Sequence, residues 1–262
     1  MRQSVFKKIT RLTGKAIGDF KLIEEGDRVL VALSGGKDSW SLLYALLDLQ
    51  RKAPIEYEVA AVTIVPGSDT IDAAQLEDRL TRDRIPHHVI GSSILEIIDS
   101  HLTKGTNPCS FCSRLRRGIL YTYASENGWN KIALGHHLDD FVETLLMNIF
   151  FNATIKGMSP NLIADDGRNK IIRPLVYVKE QMTRKCAELL TVPILSCMCP
   201  AGWQKRSKRA WVKSLISEIE RDVPDVKTNL IAAMGRVQHR HLLTTELEGT
   251  NKGIDCMASC LE

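Results

Sequence analysis

The feature that most constrains this chain is an alternation of short, β-rich apolar runs with longer stretches of helical periodicity. Val29–Leu33 and Val59–Val65 read as buried strands, and His88–Ile90, Lys131–Leu134 and Ile171–Arg173 as shorter ones. Helical patterns lie between them at Trp40–Leu49, Ile71–Arg84, Arg114–Asn127 and Leu138–Asn152. In the last, Leu138, Phe141, Val142, Leu145, Leu146 and Ile149 make one apolar stripe. Such alternation predicts an α/β fold, a parallel twisted sheet with helices on both faces. From about residue 180 the pattern turns mostly helical, at Lys179–Leu190, Lys208–Arg221 and Val226–His241, with breaks at Pro193 and Pro224. The expected organisation is a basic N-terminal docking helix over 1–22, a sheet domain over 23–200, a helical extension over 201–243 and a flexible tail over 244–262.

The 262 residues, 44% apolar and 25% charged, suit one large soluble domain with small appendages. No apolar run reaches the roughly 18 residues of a membrane span. The net charge of +4 is modest, but the positive residues cluster. They fall at Lys7, Lys8, Arg11 and Lys15, at Arg114, Arg116 and Arg117, and at Lys205, Arg206, Lys208 and Arg209. Clustering of this kind suits a phosphate backbone, although any one cluster also reads as a solvated helix face. Trp203 and Trp211 flank the last cluster and could stack on bases or simply pack. Residues 2–20 are basic and carry no acid before Asp19, as in a transit peptide; however, Val5, Ile9, Leu12, Ala16 and Phe20 recur at helical spacing, so the segment reads as a helix of the mature protein. Seven cysteines without a secretory signal argue for a reducing, cytoplasmic setting. The pairs Cys109–Cys112, Cys197–Cys199 and Cys256–Cys260 then suit metal or sulfur chemistry better than disulfides. Cys186 sits in a helical pattern with Leu189 and Leu190 and reads as core.

Three segments carry chemistry. The first is Ser34-Gly35-Gly36-Lys37-Asp38-Ser39, between a strand and a helix. Its glycines let backbone amides approach an anion, the helix N-terminus adds free N–H donors, Lys37 can neutralise phosphate, and Ser34 and Ser39 can donate hydroxyl hydrogen bonds. The order is wrong for a Walker A loop. It resembles the signature of the PP-loop ATP pyrophosphatases, adenine nucleotide alpha hydrolase-like enzymes, and that likeness implies cleavage of ATP between the α and β phosphates. The second segment is Gly135-His136-His137-Leu138-Asp139-Asp140, with Glu143 and Thr144 one turn on. Its carboxylates could hold Mg²⁺ through water while the imidazoles contact phosphate or base, or the whole could be a capped helix start. The third is Cys109-Ser110-Phe111-Cys112 followed by Arg114, Arg116 and Arg117. With distal Cys197 and Cys199, this reads as a zinc site, a redox pair or an iron–sulfur site.

The run Cys109 to Tyr121, then Lys131–His137, Lys156–Met158, Asp165–Gly167 and Ile172–Leu175, resembles the tRNA 2-thiocytidine synthetase (TtcA) family over roughly residues 10–243. The resemblance implies a tRNA sulfurtransferase that uses ATP and Mg²⁺, adenylates the C2 oxygen of a tRNA cytidine at position 32, and replaces it with sulfur carried on a three-cysteine 4Fe–4S cluster. It implies Lys37, Asp38 and Asp139 as catalytic residues, and Ser34, Gly35, Gly36, Lys37, Asp38, Ser39, His136, His137 and Asp140 as the nucleotide site. Cys109 and Cys112 would be ligands with Cys199 or Cys197, and Arg114, Arg116, Arg117, Lys205 and Arg206 would contact RNA. The implied partners are tRNA and a sulfur donor such as a cysteine desulfurase, with no membrane and with a homodimer allowed for.

The chain departs from the family pattern at Ser196-Cys197-Met198-Cys199-Pro200, where Cys197 keeps the distance to Pro193 and Cys199 the distance to the next helix. Cys256 and Cys260, with His239 and His241 nearby, form no motif of the family. Two other readings are a lysidine synthetase-like enzyme, which has no need of Cys109 and Cys112, and a non-catalytic, metal-stabilised RNA-binding protein, which has no need of an intact Ser34–Ser39 loop.

Overall fold

A computed structural model describes residues 2–67, 71–101, 108–164, 167–195, 208–238 and 241–243. Its centre is a six-stranded sheet of β1 (Arg28–Ala32), β2 (Glu58–Val65), β3 (His87–Gly91), β4 (Lys131–Ala133), β5 (Asn161–Ile163) and β6 (Lys170–Ile172), in the order β3-β2-β1-β4-β6-β5. All neighbours run parallel except β5, which lies antiparallel to β6 at the sheet edge. The sequence pattern gives β1, β2, β4 and β6, because they are mostly buried and read as apolar runs, and it also finds the part-exposed β3. It does not give β5. That strand is three residues long, partly exposed and preceded by Pro160.

Successive side chains of a strand point to opposite faces, and the register uses this throughout. Val29 and Val31 pair with Val59 and Ala61, and share one core with Trp40, Leu43 and Leu46 of α2 (Lys37–Gln50). Ile9 and Ala16 of α1 (Arg2–Phe20) and Cys186 and Ala187 of α7 (Glu180–Leu190) join the same core. On the other face Leu30, aligned with Ala60 and Ile132, packs with Ile171 against Leu120 and Ala124 of α5 (Pro108–Glu126). Helices therefore cover both faces. Between β2 and α5 lie α3 (Ile71–Arg82) and α4 (Ile94–His101), the second of which the pattern does not predict. α6 (Leu138–Asn152) packs its Leu138, Val142 and Leu146 against Val212 and Ile216 of α8 (Lys208–Asp222), with Leu230 and Ile231 of α9 (Val226–Met234) alongside. α9 stops at Met234, before Gly235, rather than running on to His241.

The strand order places β1 between β2 and β4, whose connecting helices lie on opposite faces. A crevice therefore opens beyond the carboxyl ends of β1 and β4, where open α/β sheets bind ligands. The opposite end is closed by a charged cluster. Lys131 of β4 is 2% exposed, and its Nζ donates to Asp27 at 2.7 Å and to the Leu22 carbonyl at 2.9 Å, with Glu24 at 3.3 Å. Burial pushes the Asp27 carboxyl up, but Lys131, the Glu24 N–H and Asn130 outweigh it and hold the group below its usual range. Its contribution to stability is thus complete above the ordinary carboxylate pKa and fades as pH falls through the lower folded value. Asp27→Ala leaves Lys131 buried without its best partner, so urea unfolding at neutral pH is expected to show a loss of about 3–5 kcal/mol. The gap between the variant and the parent protein is expected to narrow as pH drops below about 4.

Candidate active site

The turn after β1 carries Ser34 to Ser39. Gly35 has φ +78°, a left-handed conformation that glycine adopts without strain, and a Cβ there would sit 2.6 Å from Leu195 Cγ. Leu195 lies so close because its N–H donates to the Gly35 carbonyl at 3.1 Å, while the fully buried Trp40 donates from Nε1 to the Pro193 carbonyl at 2.9 Å. The segment leading to Cys197 is thereby stitched onto the loop. Behind the loop, Gly135 is required by a close approach. A Cβ there would meet the Ser39 N at 3.0 Å and the Asp38 carbonyl carbon at 3.1 Å, both backbone atoms. Ser39 donates its hydroxyl to the Gly36 carbonyl at 2.9 Å and closes the turn; Ser34 stays exposed.

Lys37 and Asp38 are clasped by the first turn of α7. Lys37 Nζ lies 3.0 Å from Asp38 Oδ2 and 3.2 Å from Glu180 Oε1, and Thr183 donates its hydroxyl to Asp38 Oδ1 at 2.5 Å. Glu180 also takes Lys213 at 2.6 Å. Burial pushes Glu180 up, but the Lys213 and Lys37 ammonium groups overcome it and bring its pKa down to about 2. Burial likewise opposes the charge on Lys37, and Asp38 and Glu180 prevail and raise it, so the pair stays ionised. Asp139 accepts the Glu180 N–H at 2.7 Å and an ion pair from Lys227 at 2.8 Å. One oxygen thus holds the start of α7 and the other is paired with α9. Asp140 accepts the His137 N–H at 3.0 Å and pairs with Arg209 at 3.2 Å. The buried His137 has Nε2 3.7 Å from Asp38 Oδ1 and Nδ1 3.3 Å from Asp140 Oδ2.

Ser34 and His136 open into a cavity of about 520 Å³ over the crevice. Ala32, Val62, Ile64 and Leu134 give it an apolar wall, and Arg173 and, from α5, Ser113, Arg116, Arg117 and Tyr121 give it a polar one. The guanidinium of Arg116 has its Nε buried with no hydrogen-bond partner among the described residues, as a donor awaiting an anion would. Burial and the neighbouring Arg173 push the His136 imidazole down to about 4, so it is neutral at physiological pH. Arg114 is exposed and lies outside the cavity lining.

Cys109 is the second residue of α5, one helical turn before Ser113; its side chain lies outside the described residues. Cys112 is buried, is not in a disulfide, and packs among Ile94, Ile98, Leu115 and Ile119. The described residues contain no group of three or more His, Cys, Asp or Glu side chains placed to hold a metal. Cys197, Cys199, Trp203, Lys205, Arg206, His239, Cys256 and Cys260, with the tail over 244–262, lie outside them. Trp211 is exposed and sits edge-on to Phe150 and Phe151, with Lys208 Nζ 4.6 Å from the Phe151 ring centre. The described helices hold none long and apolar enough to cross a membrane.

Sequence reasoning misses Glu180, Thr183 and Lys227. An acid in a first turn and a threonine one turn later are ordinary helix chemistry, and no local signal ties them to a loop more than 140 positions away. Gly135→Ala should displace the Asp38–Ser39 backbone by a few tenths of an ångström. Calorimetric titration with ATP is expected to show about tenfold weaker binding, or about 1.4 kcal/mol, at an unchanged melting cooperativity.

Comparison with known proteins agrees with this geometry. A family model described as the PP-loop domain matches residues 1–193. The tRNA-cytidine(32) 2-sulfurtransferase of Syntrophotalea carbinolica is 48% identical over 244 residues, covering 93% of this chain and 94% of that protein. The same-named protein of Geobacter metallireducens is 45% identical, covering 93% and 95%. Among solved structures, the U34-tRNA thiolase NcsA from Methanococcus maripaludis with its [4Fe-4S] cluster superposes with a TM-score of 0.73 at 23% identity, covering 92% of this chain and 81% of that one; it shares the fold. The loop after β1, the crevice it opens into and these matches together place the chain in the PP-loop family and, within it, in the family of the tRNA-cytidine(32) 2-sulfurtransferases.

Proposed function

We propose that the protein replaces the C2 oxygen of a tRNA cytidine, at the position 32 for which its relatives are named, with sulfur in an ATP-dependent reaction. The observation that carries this reading is the single cavity that Ser34 of the loop shares with Ser113, Arg116 and Arg117 of the helix bearing Cys109 and Cys112. In one shared space an activated base can meet sulfur held beside the cysteine-bearing helix.

In the first step the C2 oxygen attacks the α-phosphorus of ATP. The bond to the bridging α–β oxygen breaks, and pyrophosphate leaves with its electron pair. In the second, sulfur adds to C2, the C2–O bond breaks, and AMP leaves. No net oxidation occurs. The backbone amides of Gly35 and Gly36 and the hydroxyls of Ser34 and Ser39 would cradle the phosphates at the start of α2. Ala32, Val62, Ile64 and Leu134 offer an apolar wall for a flat base. Arg116 and Arg117 supply charge for the anions, and Arg114, Lys205 and Arg206 would meet tRNA phosphates outside. Asp139 acts through α7, by keeping Glu180 beside Lys37 and Thr183 beside Asp38. Asp38, part-exposed at the loop, would hold Mg²⁺, which would offset triphosphate charge, once Lys37 or Thr183 yields one of its oxygens.

The residues also fit a 4Fe–4S cluster. Cys112 lies in an apolar shell, the buried Arg116 Nε has no acceptor among the described residues, and the two peptide units from Leu195 to Cys197 span at most about 7 Å. Cys109, Cys112 and one of Cys197 and Cys199 would hold it, and when bound it would supply an iron site for sulfur at the sulfide level, the sulfur of a donor such as a cysteine desulfurase reaching that level with two electrons from a thiol reductant.

Mass spectrometry of tRNA nucleosides from cells with and without the gene tests the substrate: 2-thiocytidine should vanish without it, and its persistence would refute the reading. The anaerobically purified protein should be brown, absorbing near ~400 nm. Lys37→Ala or Asp38→Ala should abolish pyrophosphate release and keep the colour, and Cys109→Ala should lose the colour and keep part of the release. A colourless protein with one tightly held zinc would favour a metal-stabilised RNA-binding protein instead.

A further inference from the structure

The cavity contains one polar contact that the proposed reaction does not yet use. Arg173 follows β6 in an extended turn, and three bonds fix its place: its backbone N–H donates to the Pro160 carbonyl at 2.9 Å, its Nη1 to the Ser159 carbonyl at 2.5 Å, and its Nε to His136 Nδ1 at 3.3 Å. A guanidinium N–H can only donate, so the imidazole nitrogen facing it must present a lone pair. The proton of a neutral ring then resides on the other nitrogen. A protonated ring would set two N–H groups against each other. His136 lines the cavity with Ser34, and Nδ1 is committed to Arg173, which leaves Nε2 as its polar atom for a ligand. The other charged or titratable groups acting on the ring are Asp140 of α6, Arg209 of α8 and the adjacent His137, and no hydrogen bond joins any of them to it among the described residues.

We propose that Arg173 is a positioning residue that locks His136 as the neutral Nε2–H tautomer, so that this N–H serves as a fixed donor to the anionic phosphate oxygens held over Ser34 during adenylation. The inference rests on the proposed function for the identity of the ligand, but not for the tautomer. A preset neutral donor stabilises charge that grows on an oxygen without having to reorient or lose a proton at the moment of reaction. The same bond explains why the side chain before Pro174 is an arginine: a lysine would put a rotating ammonium where a single directional N–H is needed.

Two uncharged substitutions separate this role from simple charge. In Arg173→Gln the amide nitrogen sits the same number of bonds from Cα as the arginine Nε and can still donate to Nδ1; in Arg173→Met nothing can. Ring ¹⁵N shifts of His136 should report Nε2–H in the parent protein and in Arg173→Gln, and a mixture of tautomers in Arg173→Met. Pyrophosphate release with tRNA should show kcat at least about fivefold higher in Arg173→Gln than in Arg173→Met, at ATP KM values within about twofold of each other. An Nδ1–H ring or a normally titrating imidazole in the parent protein would overturn the inference, as would equal kcat in the two variants. If the ring shifts come out as expected but no preparation releases pyrophosphate with tRNA, the locked tautomer stands and the proposed reaction falls.

Discussion

The site depends on a clasp between two parts of the chain far apart in sequence. The loop after β1 offers Lys37 and Asp38, and the first turn of α7 meets them with Glu180 and Thr183, at 3.2 and 2.5 Å. Asp139 locks the clasp from behind by accepting the Glu180 N–H, which also caps the positive end of α7. Each acid is offset by a cation: Glu180 by Lys37 and Lys213, Asp139 by Lys227, Asp140 by Arg209. Partly buried charges survive only when paired in this way. α8 and α9 therefore do more than cover α6, since their Arg209, Lys213 and Lys227 neutralise the acids that shape the loop.

In front of the loop the electrostatics reverse. Arg116, Arg117 and Arg173 face the cavity, and the one imidazole there is held neutral. No acid stands among the described lining residues, and the cavity wall presents donors. This division gives an incoming polyphosphate a region of positive potential bounded by low-dielectric walls, which focuses the field. In the proposed reaction a base activated there would remain among the same arginines as it meets sulfur, which gives a physical reason for joining a glycine loop and a cysteine-bearing helix in one fold.

Much of this was legible in the residues. The parallel strands β1, β2, β4 and β6 stand out because burial on both faces leaves no alternation to blur them, and α6 stands out by its apolar stripe. β5 and α4 escaped notice: one is a short edge strand with little buried area, the other an eight-residue helix after Ser92 and Ser93. The turn Ser34–Ser39 was legible because its glycines, lysine and hydroxyls are consecutive residues between a strand and a helix. Asp139 read as catalytic on its place in the second motif, and the fold shows one of its oxygens on the Glu180 N–H of α7 and the other on Lys227 of α9. That distinction cannot be drawn from spacing, because Glu180 and Lys227 approach it only through the packing of α6 against α7, α8 and α9.

The sequence by itself determined the alternation of strands and helices, the glycine turn after β1 and the thiol pair, since each is written in neighbouring residues by backbone conformation, periodicity and donor chemistry. Only the tertiary structure decided that the turn and the Cys109 helix border one cavity, that α7 grips the loop, and that Arg173 sets the proton on His136. Those are contacts across long stretches of chain, fixed by strand order and by side-chain packing on both sheet faces, and neither quantity is local.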